Sequence, residues 1–199
     1  MDMKDSSLRA ARDAFAIESD ALQRMGGQLS PEAFSKAVAL LRDAPRIAAC
    51  GCGHSGIACM HLAHLLCCIG RAARFLSPAE GLHGGLGFLQ PGDALVLLSR
   101  GGKTDELILM QRAAAARGVL TLVVTENDAS PLAQNAFVTL HMAVTRECDP
   151  DNCQGTTSFA VSCAIFDALQ AALIEETGFS SAQFAALHPG GAVGKRLNA

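Results

Sequence analysis

The segment AACGCGHSG, Ala48 to Gly56, decides the fold class, because it joins a short apolar run to a stretch with leucines at helical spacing. Its glycines form the pattern G-x-G-x-x-G, which is typical of the turn between a strand and a helix in nucleotide-binding α/β domains. Such glycines let backbone N–H groups approach an anion, and the following helix N-terminus adds a partial positive charge. The segment therefore predicts a strand, an anion-binding turn and a helix.

The second predicted strand argues against a dinucleotide as the ligand of this turn. A dinucleotide site places an Asp or Glu at the end of that strand, where the acid binds the ribose hydroxyls. Here the strand, residues 73–76, is followed by Ser77, and Glu80 comes three residues later in a new turn. The sequence therefore favours a smaller phosphate-bearing ligand.

The rest of the chain alternates between helical and strand-like segments. Residues 5–25 carry apolar positions at helical spacing, and Ser30, Pro31 and Glu32 are typical of the start of a second helix, which we expect to run to about Leu41. The last long helix is predicted over residues 156–176. The predicted strands are 46–50, 73–76, 94–98, 120–125 and 137–141. Since these runs are apolar without alternation, they predict a doubly wound α/β domain with a five-stranded, mainly parallel sheet flanked by helices.

Composition limits the class of protein. The chain has 199 residues, a net charge of −3 and no basic run, which argues against nucleic acid or a membrane surface as the main partner. The charged N-terminus lacks the apolar stretch of a signal peptide, and we expect no apolar segment long enough to span a bilayer. We therefore expect a cytoplasmic protein with one domain over residues 1–199, including an N-terminal helical segment.

Eight cysteines raise the question of a zinc site or a disulfide framework. Their placement favours neither, because there is no C-x-x-C, Cys67 and Cys68 are adjacent, and Cys50, Cys59 and Cys163 lie in apolar segments. We expect reduced, buried thiols that act as small hydrophobic groups, and no metal.

Polar residues follow the predicted strands, at the edge where such sheets bind ligands. The segment SRGGKTDE, residues 99–106, supplies hydroxyls, glycines, two basic residues and another helix N-terminus. Three further segments add an acid or a histidine: 77–87 with Glu80 and His83, 146–158 with Glu147, and 187–194 with His188. One such residue in a loop is usually solvated or capping, but their joint placement predicts a site for a small anionic ligand.

The order of these motifs resembles the sugar isomerase (SIS) domain family, and it looks most like the D-arabinose 5-phosphate isomerases within it. The matching motifs are G-x-G-x-S-G at 51–56, P-A-E-x-x-H-G-x-L-G at 78–87, the serine-glycine loop at 99–104, T-T-S at 156–158 and H-P-G-G-A-x-G at 188–194. The likeness covers about residues 10–199. It implies the SIS fold, which is flavodoxin-like, and a homotetramer built as a dimer of dimers with shared active sites.

The resemblance also implies roles for individual residues. The substrate's phosphate would be bound by Gly53, Ser55, Ser99 and Thr104, with Thr157 or Ser158 nearby. The catalytic polar groups would be His83, Glu106, Glu147 and His188. Beyond the resemblance, our hypothesis for the mechanism is that His188 and His54 help to open the sugar ring or polarise O1 and O2. The residue types leave the general base open between Glu147, Glu106 and His83. Each of these functions can be supplied without a metal or an organic cofactor.

Two positions depart from the family pattern. The family's isomerases usually carry lysine where this chain has His54, and a second serine where it has Gly101. The first change replaces a fixed charge with a group that titrates near neutrality, and the second removes a hydroxyl that Arg100 or Lys103 could offset. The family's long members also append a regulatory pair of cystathionine-β-synthase-type motifs, which residues 1–199 lack.

We therefore expect an aldose–ketose isomerase that interconverts D-arabinose 5-phosphate and D-ribulose 5-phosphate through an enediol. Two alternatives stay open. The first is an isomerase of another phosphosugar, such as a hexulose 6-phosphate, for which His54 is the main reason. The second is a non-catalytic sugar-phosphate sensor, although the first 45 residues show no basic recognition helix.

Overall fold

The computed structural model describes residues 3–197, with side chains from residue 5, so both ends of the predicted domain 1–199 lie outside it. It contains one sheet of five parallel strands in the order β2-β1-β3-β4-β5, which is the flavodoxin-like order. The strands are β1 (Ile47–Gly51), β2 (Ala73–Phe75), β3 (Ala94–Leu98), β4 (Leu120–Thr125) and β5 (Val138–His141). The predicted fold class is confirmed, and each predicted strand end lies within one residue of the observed one.

Nine α-helices and one 3-10 turn surround the sheet in the described part of the chain. The helices are α1 (Met3–Gln28), α2 (Pro31–Asp43), α3 (His54–Cys68), α4 (Pro78–Leu82), α5 (Asp105–Ala115), α6 (Pro131–Gln134), α7 (Thr156–Thr177), α8 (Ser181–Leu187) and α9 (Gly191–Leu197), with the 3-10 turn at Gly85–Phe88. Helices α4 and α9 lie in segments that we expected to be loops, and α8 lies in a segment for which we made no prediction. For α8 a signal was present, because Ser180 and Gln183 form a capping box at its start.

The hydrophobic core lies on both faces of the sheet. One face packs against α2, α3 and α7, and the other packs against α4, α5 and α6. Neighbouring residues of one strand, such as Ala48 and Ala49 in β1, belong to different faces, and both are buried. This double burial explains why the strands read as continuous apolar runs.

Helix α7 is long and apolar enough to cross a membrane, judged by length and composition alone. It is the only such helix among residues 3–197, and by this test our expectation that no apolar segment is long enough to span a bilayer is wrong. Its residues Val161, Phe166 and Leu169 are fully buried in the core, and a core helix of a soluble domain passes the same test. Its burial in this fold accounts for its composition.

The strand order positions the two glycine loops beside each other. Strands β1 and β3 are neighbours, and Gly51 at the end of β1 pairs with Leu98 at the end of β3. The helices that follow them, α3 and α5, pack on opposite faces of the sheet. A crevice opens where such connections diverge, and ligands of doubly wound sheets bind there.

Candidate active site

In the loop after β1, the end of β1 and the start of α3 approach each other so closely that only glycine fits at Gly51 and Gly56. A Cβ atom on Gly51 would lie 2.7 Å from the carbonyl carbon of Ser55, and one on Gly56 would lie 2.8 Å from the carbonyl oxygen of Gly51. Gly53, at φ +57°, precedes α3, and no side chain caps this helix. The first N–H groups of α3 are therefore left for a ligand at the positive end of the helix dipole.

The loop after β3 is closed on itself. The hydroxyl oxygens of Ser99 and Thr104 lie 3.0 Å apart, and the N–H of Gly102 donates to Ser99 Oγ over 3.2 Å. Gly102 has φ +65°, and a Cβ atom there would collide with the Ser130 side chain. The two hydroxyls that we expected to bind phosphate are thus partly used within their own loop.

An ion-pair network joins this second loop to the start of α7. The Glu147 side chain is fully buried, and its Oε1 accepts a hydrogen bond from Arg100 Nη1 over 2.6 Å. Its Oε2 accepts from the N–H of Ser158 over 3.1 Å, which places a carboxylate at the positive end of α7. Arg100 Nε donates to Glu126 Oε2 over 2.5 Å, and this bond raises the pKa of the Arg100 guanidinium, which stays charged.

A small cleft, with a cavity volume of about 20 Å³, opens between the loop after β1, the loop after β3 and α7. It is lined by His54, Ser55, Leu98, Arg100, Met142, Ser158, Phe159 and Ser162. The ring of His54 lies against α7, with its centroid 6.0 Å from that of Phe159. The cleft therefore combines an imidazole, a guanidinium and three hydroxyls with apolar side chains, and its polar groups suit an anionic group of a ligand.

The structure brings several of the predicted site residues together. His54, Ser55 and Ser158 line the cleft, and Gly53 directly precedes His54 as the N-cap residue of α3. Thr157 does not line it, because this side chain is fully buried with its hydroxyl 3.4 Å from Cys148 Sγ. Of the two adjacent hydroxyl residues that we expected near the phosphate, only Ser158 faces the cleft.

Glu106 and His83 lie outside the lining of this cleft. Glu106 is exposed in the first turn of α5. The pKa of the Cys52 thiol is raised mainly by burial and to a smaller extent by the negative charge of Glu106, so the two residues are close. Glu106 therefore lies beside the loop after β1. His83 is exposed at the end of α4, which packs against α5, and within residues 5–197 its side chain makes no hydrogen bond or ring contact.

His188 lies at the opposite end of the molecule. Its ring stacks on Phe184 with centroids 3.8 Å apart, and Phe184 lies with Ile69 beside the C-terminal end of α3. Helix α3 has 15 residues and begins at the cleft. A helix of that length extends about 22 Å, so His188 does not reach the cleft of its own chain.

The cysteines are all free, but our expectation of burial is wrong for part of them. Cys50 and Cys59 are buried, and burial raises the pKa of Cys50 to about 12. Cys52, Cys67 and Cys153 are exposed, because they lie in loops or on the outer face of a helix. Within the described side chains, no group of three or more His, Cys, Asp or Glu residues is arranged to hold a metal ion.

Sequence reasoning missed the network around Arg100. Nothing in the local pattern links Arg100 to Glu126 or Glu147, which are 26 and 47 residues away. It also missed Phe159 and Ser162 in the cleft. A signal existed for Ser162, since it lies four positions after Ser158 and so shares its face of α7.

Comparison with known proteins gives the family. The model of the SIS domain family matches residues 40–172. The chain is 34% identical over 191 residues to arabinose 5-phosphate isomerase KpsF of Escherichia coli, and 33% identical over 190 residues to arabinose 5-phosphate isomerase KdsD of Pseudomonas aeruginosa. Each alignment covers 96% of this chain and 58% of the relative, so the chain spans about three fifths of the length of these relatives.

Two solved structures are similar over nearly the whole chain. A Listeria monocytogenes protein inferred to be a sugar-phosphate isomerase has 36% identity and a TM-score of 0.91, covering 96% of this chain and 100% of that one. The E. coli CFT073 protein c3406, solved in complex with arabinose 5-phosphate, has 25% identity and a TM-score of 0.88, covering 95% and 100%. From the family match across residues 40–172 and these likenesses, the chain belongs to the SIS domain family.

Proposed function

We propose that this protein is an aldose–ketose isomerase that interconverts D-arabinose 5-phosphate and D-ribulose 5-phosphate through an enediol. The observation that carries the proposal is the cleft at the uncapped N-terminus of α3, where Ser55, His54 and Arg100 meet. The relatives support the choice of sugar, since two of them are arabinose 5-phosphate isomerases and c3406 binds arabinose 5-phosphate.

In this proposal the phosphate group binds to the loop after β1. Ser55 Oγ and the first N–H groups of α3 donate to its oxygens, and Gly53 keeps the approach free of side-chain atoms. Ser99 and Thr104 join from the neighbouring loop, but they must first give up part of their mutual hydrogen bond. Ser158 lies on the far wall of the cleft, where a sugar hydroxyl would meet it.

The isomerisation needs a base that moves a proton between C1 and C2 of the open-chain sugar. Glu147 is fully buried with both carboxylate oxygens engaged, so we assign it to positioning Arg100 and the start of α7. Glu106 is exposed beside the loop after β1, and we assign it to the base. His54 lines the cleft and would help to open the ring or polarise O1 and O2.

We further propose a homotetramer, a dimer of dimers, in which neighbouring subunits supply His83 and His188 to each cleft. Both histidines lie outside the cleft of their own chain, which supports a shared site. Large apolar side chains remain exposed on α1 and α3, including Phe15 at 77%, Ile57 at 52% and Met60 at 50%. Such surfaces are typical of subunit contacts. Light scattering of the purified protein would measure the assembly mass.

The same proposal places the protein in the cytoplasm as one phosphosugar-binding domain over residues 1–199, with an N-terminal helical segment. Eight free cysteines are consistent with a reducing compartment. The reaction as proposed needs no metal, organic cofactor, nucleic acid or membrane.

The direct test is proton NMR of the protein with D-ribulose 5-phosphate in deuterated buffer. We expect D-arabinose 5-phosphate to form with deuterium at C2, because the enediol exchanges its proton with solvent. Turnover of a hexulose 6-phosphate instead would identify the substrate as another phosphosugar, which the position of His54 in the cleft makes the second candidate. Binding without turnover of any phosphosugar would contradict the enzyme and favour a sensor.

The assignment of the base has its own matched pair of variants. Glu106→Gln removes the carboxylate, and we expect turnover to fall by about 100-fold to 10,000-fold. Asp105→Asn changes the preceding exposed acid in the same turn of α5 and should leave turnover nearly unchanged. Equal activity of the two variants would contradict the role of Glu106.

A further inference from the structure

The side chain of Arg100 is held in one position at the cleft by hydrogen bonds to two carboxylates. Glu126 and Glu147 accept hydrogen bonds from its Nε and Nη1 over 2.5 and 2.6 Å. Its backbone carbonyl accepts from the hydroxyl of Thr125 and the N–H of Glu126, each over 2.9 Å. Both the backbone and the guanidinium group of Arg100 are therefore held at the carboxyl edge of the sheet.

One edge of the guanidinium remains available to a ligand. Within residues 5–197, the hydrogen bonds of Arg100 use Nε and Nη1 and leave Nη2 without a protein acceptor. This nitrogen is not a buried unsatisfied group, and the side chain is 36% exposed. Arg100 lines the inner cleft with Ser55 and also a more open cleft with Gly101 and Asn127. Arg100 therefore borders the space in which a ligand would lie, and its Nη2 is free to donate.

The charges around Arg100 indicate which part of a ligand it would meet. Two carboxylates, one of them fully buried, offset its single positive charge, so it adds little net attraction for a dianionic phosphate. The loop after β1 already offers an uncapped helix N-terminus for that group. A donor that is held in one orientation is suited to an oxygen that gains negative charge during a reaction, because it needs no reorganisation at that moment.

We propose that Arg100 is a catalytic residue that donates from Nη2 to the carbonyl oxygen of the open-chain sugar phosphate and stabilises the enediolate. This inference rests on the proposed isomerase function and assigns the oxyanion donor of that reaction. Glu126 and Glu147 are positioning residues that keep the free edge of Arg100 directed at the cleft. No bond to Arg100 is formed or broken, and the proton moves between the sugar carbons through the base.

The test compares turnover with binding in Arg100→Lys and Arg100→Gln. Loss of one fixed oxyanion donor typically lowers kcat by about 100-fold to 1,000-fold. We expect that loss while the affinity for inorganic phosphate, measured as a competitive inhibitor, changes by less than about threefold. Affinity for a hydroxamate mimic of the enediolate should fall as much as kcat does. Arg112→Lys, at an exposed arginine on α5, is the matched control and should keep the wild-type kcat.

A second variant keeps the inference testable if both Arg100 substitutions disturb folding. Glu126→Gln loosens Arg100 from a partly exposed partner and leaves the buried pair with Glu147 intact. We expect kcat to fall by about tenfold while the melting temperature falls by less than about 4 °C, since positioning errors act on the transition state. A purely structural salt bridge would not change kcat in this way.

Three outcomes overturn parts of the account differently. Wild-type protein without turnover of any phosphosugar would overturn the proposed function together with this inference. Wild-type turnover that persists at full kcat in folded Arg100 and Glu126 variants would overturn the inference alone. A fall in kcat matched by an equal loss of inorganic phosphate affinity would make Arg100 a phosphate ligand and overturn its assignment to the enediolate.

Discussion

The two glycine-rich loops at the carboxyl edge of the sheet have similar sequences but different structures. The loop after β1 ends at a helix with no side-chain cap, and its glycines allow the strand to touch the helix. In the loop after β3, the Ser99 hydroxyl contacts both Thr104 and the N–H of Gly102. The first loop is open to a ligand, whereas the second uses much of its polar capacity to hold its own shape.

This difference indicates that the two loops contribute differently to one site. The first loop is suited to the phosphate, because no side chain caps the first N–H groups of the helix that follows it. The second loop carries Arg100, which it fixes against Glu126 and Glu147 at the edge of the cleft. Glycines and hydroxyls before a helix therefore do not by themselves distinguish a binding loop from a supporting one.

The largest difference in stability between the two loops should appear when one glycine in each is replaced by alanine. Gly51→Ala would place Cβ 2.7 Å from the Ser55 backbone, which cannot move without shifting α3. We expect this overpacking to cost about 3 kcal/mol and to lower the melting temperature by roughly 6–12 °C. Gly101→Ala is the control, because no atom lies within 4 Å of its Cβ position. Equal melting temperatures in a thermal scan would contradict the close packing of the first loop.

A smaller effect should separate the two acids that hold Arg100. Glu147→Gln removes a fully buried charge from the ion pair and from the start of α7, and we expect about 2 kcal/mol of lost unfolding free energy. Glu126→Gln changes a carboxylate that is 36% exposed and should cost less than about 1 kcal/mol. Urea denaturation of both variants measures the difference, and a larger loss for Glu126→Gln would reverse our view of the network.

The smallest predicted effect is a change in the reactivity of Cys52, in the loop after β1, when the charge of Glu106 at the start of α5 is removed. The pKa of the Cys52 thiol is raised mainly by burial and, to a smaller extent, by the negative charge of Glu106. Removing that charge should therefore lower the pKa. At a fixed pH below the pKa, Glu106→Gln then increases the thiolate fraction and should speed alkylation of Cys52 by about threefold. Mass spectrometry can follow this rate, with Cys153 as the control, since Asp149 is the residue that raises its pKa. An unchanged Cys52 rate would contradict the closeness of the two loops.

Much of the fold could be predicted from the sequence. The strands are short, buried on both faces and therefore apolar throughout, and glycines mark the turns between several of them and the helices. Strand ends could be placed within one residue for this reason. The short helices α4 and α9 could not, because glycine and proline within or beside them obscure the helical period. For α8 the capping box of Ser180 and Gln183 was a signal that we did not use.

The site could be predicted only in part. His54, Ser55 and Ser158 meet in the cleft because they begin helices that start at the same edge of the sheet. The pairing of Arg100 with Glu126 and Glu147 depends on strand order, which local sequence does not contain. The distance between His188 and the cleft likewise follows from the path of α3 and α7 across the sheet.

Calorimetric titration of D-arabinose 5-phosphate into the wild-type protein and the variants Ser55→Ala and Ser99→Ala tests the central claim most directly. The account predicts a loss of affinity of about 10-fold to 100-fold for Ser55→Ala, because a hydrogen bond to a charged group contributes about 1.5–3 kcal/mol. For Ser99→Ala it predicts a loss of less than about threefold, since that hydroxyl already contacts Thr104 and Gly102. A larger loss for Ser99→Ala than for Ser55→Ala would show that the loop after β3 holds the phosphate and would contradict the account.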